Sequence, residues 1–287
     1  MPRTTALFLA MSLGLFVSSP GLSQEGSHSL VEVAAALEEK LDARIGLTVY
    51  DLDNQNTWDY RADERFPMAS TFKAMACAAL LSRGETVMNT AVEIAASDLV
   101  TYSPVTEALV GQSVPASELC DATMRTSDNT AANKVLQVLG GPEAVTQFLQ
   151  TIGDVTTRLD RWEPDLNQGT PGDLRDTTTP KAIARSLHDL VLGNKLDGVA
   201  RKQFTAWLLS NKVGDPLLRA GIPPDWRIAD RTGAGGHGTR GIIAVMWPPN
   251  RAPLVAAIYI TETAASMEER NTAIAEIGAA LAASVID

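Results

Sequence analysis

The sequence predicts an α/β (α+β) fold in which an antiparallel five-stranded sheet is flanked by terminal helices and carries an inserted all-helical subdomain. Runs rich in β-branched residues occur near both ends of the chain. The long segment between them has helical periodicity, and amphipathic stretches stand before the first strand and after the last. Strands from both ends with helices from the centre favour one sheet with an insertion.

The elements follow in chain order. A helix is predicted over 29–41, and strands over 44–51 and 57–61 are joined by a polar turn. The next helix starts near Ser70. The helical pattern then recurs over 105–111, 129–139, 142–152, 179–192 and 200–210. A polar loop rich in proline and glycine, 161–178, interrupts these helices.

The last third returns to strands, and the chain closes with a helix over 266–286. These strands are predicted over 226–232, 241–247 and 252–261. The α/β part therefore comprises about 29–66 and 212–287, the helical part comprises about 67–211, and together they form a single domain over 24–287.

Composition excludes several classes of protein. The 287 residues are 45% hydrophobic and 20% charged, which is typical of a soluble globular protein. A net charge of −10 without any basic run argues against a nucleic-acid partner. His28, His188 and His237 lack the spacing of metal ligands, so neither a zinc enzyme nor another cofactor is expected. The G-x-G-x-x-G run at 233–238 has no following helix, so it does not indicate a dinucleotide site.

The N-terminus resembles a secretory signal. Arg3 precedes an apolar run over 6–17 and small residues near the expected cleavage site, which predicts removal of residues 1–23. Since no later segment is long enough to span a bilayer, a soluble periplasmic protein is expected. Oxidation is allowed there, and the even count favours a disulfide between Cys77 and Cys120, the alternative being two buried thiols.

Ser70 and Lys73 form the first candidate pair of catalytic residues. Because residues i and i+3 share a helical face, the hydroxyl and the amine can meet. A serine nucleophile needs a base nearby, and a lysine buried among apolar groups loses its proton more readily. Backbone N–H groups at the helix start can stabilise an oxyanion. Taken alone, such a pair is more often an N-cap serine followed by a surface lysine.

Two downstream segments carry further polar groups. Ser127-Asp128-Asn129 precedes a predicted helix, where its serine can carry a proton to a leaving nitrogen and its asparagine can hold a substrate carbonyl. The same cluster is also typical of a helix cap. Glu163 and Asn167 lie in the polar loop, and a carboxylate beside a carboxamide can position a water and take its proton. By itself, a glutamate in a loop is usually solvated.

A third segment lies at the end of a predicted strand. It consists of Arg231-Thr232-Gly233-Ala234, with Arg240 at the start of the next strand. Two guanidinium groups and a hydroxyl there can clamp a carboxylate. The alternative is a charged sheet edge.

In this order and at these separations, the three segments and the Ser70–Lys73 pair resemble the serine penicillin-recognising superfamily. The E-P-x-L-N run at 163–167 narrows the resemblance to class A β-lactamases. The match extends from about residue 29 to the C-terminus. It implies a β-lactamase/penicillin-binding transpeptidase-like fold, hydrolysis of small-molecule β-lactams, and a monomer that needs no cofactor.

The resemblance implies a role for each residue. Ser70 attacks the lactam carbonyl and forms an acyl-enzyme, with its own N–H and that of Ala234 forming the oxyanion hole. Lys73 helps to activate Ser70, and whether Glu163 also takes part in acylation through a water is left open. Ser127 passes a proton to the departing nitrogen.

The same resemblance assigns release of the acyl group to a water held by Glu163 and Asn167. It also implies a cis Glu163–Pro164 bond and, as in some members, a Cys77–Cys120 disulfide. The substrate-binding residues that it implies are Tyr102, Asn129, Arg231, Thr232, Gly233 and Arg240.

One departure from the family pattern concerns specificity. Most class A enzymes have lysine where this chain has Arg231, and arginine there resembles the carbenicillin-hydrolysing subgroup. Carboxypenicillins are therefore expected as substrates beside simple penicillins. Ala69 and Gly235 offer no cysteines for the extra disulfide of carbapenem-hydrolysing members, so weak carbapenem turnover is expected.

Two other functions share part of this pattern. A D-alanyl-D-alanine peptidase uses the same serine, lysine and second serine, and a penicillin-sensing receptor domain is acylated and held. Both lack a dedicated deacylating carboxylate, so Glu163 and Asn167 argue against both. The chain also shows no membrane anchor after its signal, which counts against the receptor.

Overall fold

The computed structural model describes Met1 and residues 25–286. The predicted signal segment lies, apart from Met1, outside the described residues. The helices of the described part are α1 (Glu25–Lys40), α2 (Phe72–Ser82), α3 (Glu85–Met88), α4 (Ala116–Thr126), α5 (Asn129–Leu139), α6 (Pro142–Ile152), α7 (Pro180–Val191), α8 (Gly198–Leu209), α9 (Leu218–Gly221) and α10 (Met267–Ile286). Its strands are β1 (Arg44–Asp51), β2 (Thr57–Tyr60), β3 (Phe66–Pro67), β4 (Ala91–Glu93), β5 (Ser113–Pro115), β6 (Thr177–Thr178), β7 (Arg227–Ala234), β8 (Arg240–Trp247) and β9 (Leu254–Thr261).

The central sheet has five antiparallel strands in the order β2–β1–β9–β8–β7. Short turns join β1 to β2 and β7 to β8 to β9, so sequence neighbours pair directly. Within the sheet, the β1–β9 pair joins strands from the two ends of the chain. This confirms the predicted five-stranded antiparallel sheet.

Both faces of this sheet are covered, which explains why β9 is buried along its whole length. Side chains alternate between two cores, as the period of a strand requires. Ile258 and Ile260 face the terminal helices α1 and α10, whereas Ala257 and Tyr259 face the helical subdomain. The two terminal helices contact each other on the same face of the sheet, so they flank it on one side only.

Helix α2 lies at the centre of the helical subdomain. Every residue from Phe72 to Leu81 is buried, as expected for a helix that is apolar on all sides. Helices α4, α5, α6 and α8 pack around it. The Cys77–Cys120 disulfide joins α2 to α4, so the alternative of two buried thiols is wrong.

One prediction about the helical part differs from the structure, and one helix was missed. The segment 105–111 contains only a short 3₁₀ turn, Thr106–Leu109. The carboxylate of Asp128 accepts the backbone N–H groups of Val105 and Thr106 at its start, and Gly111 ends it with a positive φ. Helix α4 was not predicted, because its polar residues mask the apolar stripe.

In the part of the chain that the structure describes, no helix combines the length and the apolar character needed to cross a bilayer.

Candidate active site

A cavity of about 430 Å³ lies where the end of β7 meets the helical subdomain. Most of the residues predicted to act on a substrate line it. They are Ser70, Tyr102, Ser127, Asn129, Asn167, Thr232, Gly233, Ala234 and Arg240, and Val213 and Met267 complete the lining. The remaining predicted site residues, Lys73, Glu163 and Arg231, are buried and do not line the cavity.

Ser70 lies in a 3₁₀ turn, Ala69–Thr71, directly before α2. It is 9% exposed, and its Oγ has no hydrogen-bond partner within the described chain. Ala69 has a φ of 43°, which is uncommon for a residue with a side chain. The turn lies against β7 at Gly233, where a Cβ would come within 2.7 Å of Met68 O and 3.0 Å of Ser70 N. Glycine at 233 therefore lets the strand approach the backbone of Ser70.

Lys73 is fully buried one turn after Ser70. Its Nζ lies 3.0 Å from Glu163 Oε1 and donates to Asn129 Oδ1 at 2.5 Å and to the carbonyl oxygen of Ser127 at 2.9 Å. Burial lowers the pKa of Lys73 to about 8, although Glu163 favours the charged form. With this pKa a substantial fraction of the amine is neutral at moderately alkaline pH, as a general base requires.

Glu163 is held from both sides. Its backbone N–H donates to Asn133 Oδ1 at 2.9 Å, and its carbonyl oxygen accepts from Asn133 Nδ2 at 2.9 Å. Asn167 Nδ2 donates to Glu163 Oε2 and to Pro164 O. The predicted cis bond between Glu163 and Pro164 is present. The carboxylate is thus fixed between the lysine beneath the cavity and an asparagine in its wall.

The S-D-N segment has two functions in the structure. Asp128 caps α5 by accepting from Ala131 N at 2.8 Å, so the helix-cap interpretation holds for this residue. Ser127 has a φ of 68°, which turns its side chain toward the cavity. Asn129 Nδ2 donates to Thr101 O at 2.8 Å, so its amide joins the loop before Tyr102 to Lys73.

The two predicted anion-binding arginines occupy different positions. Arg240 lines the cavity, and its Nε donates to Asn271 Oδ1 at 2.8 Å and its Nη1 to Gly233 O at 3.2 Å. Arg231 is fully buried, and its Nη2 donates to Ser127 Oγ at 2.5 Å. Its Nε and Nη1 have no hydrogen-bond partner in the described part of the chain.

Burial lowers the pKa of each arginine to about 10, which leaves both charged at neutral pH. Asp230, the residue before Arg231, points to the other face of β7. There it pairs with Arg219 Nε at 2.9 Å. Neither Arg231 nor Arg240 forms an ion pair with a described carboxylate.

The polar loop is closed by Arg161 and Asp176, whose side chains pair at 2.5 Å. It docks on the turn after β7, where Gly236 N donates to Asn167 O at 2.8 Å. A Cβ on Gly236 would lie 2.3 Å from Gln168 O. Gly235 and Gly236 therefore allow close approach of the turn to the backbone of the loop.

Sequence reasoning missed several supporting residues. Asn133 was not singled out, although it lies one helical turn after Asn129 on α5. Asn271 holds Arg240 from α10. Tyr259 OH lies 2.9 Å from Thr71 Oγ1, which donates to Met68 O at 2.8 Å. No local pattern indicates the contacts of Asn133, Asn271 and Tyr259, because their partners are far apart in the chain.

The comparisons with known proteins agree with this geometry. A model of the β-lactamase enzyme family matches residues 29–285. β-Lactamase PSE-4 of Pseudomonas aeruginosa is 53% identical over 272 residues, covering 93% of this chain and 94% of that protein. β-Lactamase CARB-3 of the same species has the same identity and coverage. A solved ancestral class A β-lactamase superposes with a TM-score of 0.85 at 50% identity, covering 88% of this chain and 98% of the other.

Proposed function

Because the chain belongs to the β-lactamase enzyme family and is a class A β-lactamase, we propose that it hydrolyses penicillins, including carboxypenicillins, through an acyl-enzyme on Ser70. Hydrolysis of these antibiotics confers resistance on the cell that makes the enzyme. The observation that carries this mechanism is a buried carboxylate, Glu163, held by Asn167 in the wall of the cavity that Ser70 lines.

In acylation, Ser70 Oγ attacks the lactam carbonyl, and its proton passes to a base. Neutral Lys73 serves as that base in part of the molecules, since its pKa lies at about 8. Glu163 Oε1 lies 3.0 Å from Lys73 Nζ, so the two residues can exchange a proton. The N–H groups of Ser70 and Ala234 stabilise the oxyanion, and loss of one such donor typically costs about 10²–10³ in rate.

Opening of the ring requires a proton on the lactam nitrogen. Ser127 Oγ supplies it, since it lies 3.3 Å from Lys73 Nζ and accepts from Arg231 Nη2. The lysine replaces that proton, and the adjacent guanidinium stabilises negative charge on the serine oxygen during the transfer. Arg231 thereby acts on the reaction through Ser127.

In deacylation, Glu163 takes a proton from a water that attacks the ester. Asn167 orients both groups, because its Nδ2 donates to the carboxylate while its Oδ1 has no described partner. An unpaired, buried amide oxygen next to a carboxylate is suited to accept the second hydrogen of that water. Glu163 and Asn167 thus allow the acyl-enzyme to be hydrolysed, so that the antibiotic is turned over and not only captured.

The substrate binds across the cavity with its ring carboxylate toward the sheet. Thr232 and Arg240 contact that carboxylate, Asn129 holds the side-chain amide, and Tyr102, which is 54% exposed, forms the wall at the mouth. Gly233 leaves room for the strand to run beside the bound antibiotic. Arginine at 231 favours carboxypenicillins, and carbapenem turnover is weak.

We further propose that residues 24–287 act as a single catalytic domain. It functions in the periplasm as a monomer after removal of residues 1–23 and needs neither a cofactor nor a nucleic-acid partner.

Steady-state hydrolysis by the purified protein tests this function. Benzylpenicillin, carbenicillin and the chromogenic cephalosporin nitrocefin are expected to undergo many turnovers per enzyme molecule, and imipenem few. A single stoichiometric burst without further turnover would instead identify a penicillin-sensing receptor. Cleavage of D-alanyl-D-alanine peptides with no penicillin turnover would identify a peptidase. Rapid imipenem hydrolysis with slow carbenicillin hydrolysis would contradict the proposed specificity.

A further inference from the structure

A third buried arginine, Arg270, lies behind Arg240. Both residues are less than a tenth exposed, at 9% and 8% respectively. Arg270 Nη1 donates to the carbonyl oxygen of Thr239 at 3.2 Å, and its Nε donates to Ser266 O at 3.1 Å. Because Thr239 directly precedes Arg240, the two guanidinium groups approach the same strand end from β8 and from α10.

Neither cation is neutralised. All the acceptors that the two guanidinium groups contact are neutral oxygens, and no described carboxylate forms an ion pair with either. The nearest acids in the chain, Glu268 and Glu269, are exposed, and the carboxylate of Glu269 accepts from the backbone N–H of Ser266 instead. The positive charge of Arg270 contributes to lowering the pKa of Arg240. A buried charge without a partner is costly to keep.

The position of Arg270 in its helix increases that cost. It lies in the first turn of α10, where the helix dipole favours negative charge. The first residue of this helix, Met267, lines the active-site cavity. The N-terminus of α10, Arg270 and Arg240 therefore direct positive potential toward the same end of the cavity.

We propose that Arg270 is a positioning residue, which strengthens binding of the ring carboxylate shared by all penicillins by making this end of the cavity doubly cationic. The inference rests on the proposed function, because the anion that neutralises the pair is the substrate. Arg270 does not line the cavity and acts through Arg240 in two ways. Its charge adds to the field on the anion, and its contact with Thr239 O fixes the start of β8.

The test compares Arg270→Gln and Arg270→Lys with the parent, using benzylpenicillin and carbenicillin. The glutamine variant is expected to raise KM about fivefold for both substrates while kcat changes less than about twofold, since a partly screened charge acts on binding more than on chemistry. The lysine variant keeps the charge and is expected to recover most of the KM. The matched control is Arg185→Gln, which removes an exposed arginine that lines other cavities.

Ionic strength separates an electrostatic role from a purely structural one. The KM of the parent is expected to rise more steeply with sodium chloride than that of Arg270→Gln. Salt screens the charge of Arg270, which the parent has and the variant lacks. A merely structural anchor would leave the salt slopes equal and the lysine variant as impaired as the glutamine variant. Circular dichroism melting of each variant verifies that it is folded.

Three results would overturn the inference alone: an unchanged KM in Arg270→Gln, equal salt slopes, or a KM increase confined to carbenicillin. A KM increase confined to carbenicillin would show that Arg270 acts on the side-chain carboxylate of that antibiotic rather than on the ring carboxylate that both penicillins share. A parent enzyme that turns over neither penicillin would contradict the proposed function itself, which makes the two failures distinguishable.

Discussion

The two walls of the active-site cavity differ in how their charges are balanced. On the helical wall, Lys73 pairs with Glu163 at 3.0 Å, so the buried charges neutralise each other. On the opposite side, which we call the sheet wall and which includes the ends of β7 and β8 and the start of α10, Arg231, Arg240 and Arg270 are buried without a described carboxylate partner. Under the proposed function, the catalytic groups are organised before substrate binds, whereas the recognition groups are completed by the bound anion. On this proposal, the Lys73–Glu163 pair stabilises the free protein, whereas the burial of the arginine charges is compensated only when the anion binds.

The largest effect is expected from Lys73→Met, which leaves Glu163 buried without its counter-charge. The unfolding free energy is expected to fall by about 3–5 kcal/mol, as when one partner of a buried ion pair is removed. Loss of the base lowers the acylation rate by about 10³-fold. Urea unfolding and rapid-quench acylation with nitrocefin measure the two effects.

The matched control is the double variant Lys73→Met with Glu163→Gln. It removes both charges and is expected to recover most of the stability but none of the activity. Equal stability of the single variant and the parent would show that the helical wall is not held by its own charge balance.

A pH series gives the second test of this wall. Burial lowers the pKa of Lys73 from 10.5 to about 8 in the folded protein. Between these values the unfolded chain binds more protons, so stability relative to the double variant is expected to rise from pH 8 to pH 10.5. Below pH 8 the contribution of Lys73 should be constant, and the full rise is on the order of 3 kcal/mol. A flat difference across this window would contradict the assigned pKa direction.

On the sheet wall, Arg231→Gln is expected to lower kcat/KM for penicillins by about 10–100-fold, which corresponds to loss of one charge-assisted contact with Ser127. Its unfolding free energy should change by less than about 1 kcal/mol, because relief of an unpaired buried charge offsets the lost packing. Arg219→Gln is the contrasting variant, since it breaks the ion pair with Asp230. If Arg231→Gln destabilises the protein more than Arg219→Gln does, the contrast between the walls is wrong.

The smallest effect is expected from Tyr259→Phe, behind the turn that carries Ser70. Removing its hydroxyl breaks the contact with Thr71 Oγ1 and should cost about 1 kcal/mol of stability. Acylation should slow a few-fold, since Thr71 also fixes Met68 O beside the strained Ala69. Tyr50→Phe is the control, because its hydroxyl has only a long contact at 3.4 Å. Equal acylation rates in the parent and Tyr259→Phe would show that the turn does not need this support.

Much of the fold was predictable because its signals are local. Runs rich in β-branched residues marked the strands of the central sheet, and the predicted 129–139 and 142–152 helices coincide with α5 and α6. The 105–111 segment failed for a physical reason. Its helical pattern is overridden by Asp128, which accepts backbone N–H groups at the start of the turn from a distant part of the chain.

The residues of the candidate site were predictable to the extent that they fall in ordered motifs. Ser127 and Asn167 could be predicted from the S-D-N and E-P-x-L-N motifs in which they lie, and the structure places both at the cavity. Asn133 and Arg270 could not, since their partners lie 30 and 31 residues away and each resembles an ordinary helix residue. The burial of Arg231 could not be predicted from the sequence either, because an arginine at a strand end normally indicates an exposed edge of the sheet.

The central claim is that a separate carboxylate completes hydrolysis after Ser70 has been acylated. Mass spectrometry of Glu163→Ala mixed with carbenicillin tests it most directly. We expect a covalent adduct of one antibiotic per protein that persists for many parental turnover times and is absent in Ser70→Ala. Release of the adduct from Glu163→Ala at the parental rate would contradict the account.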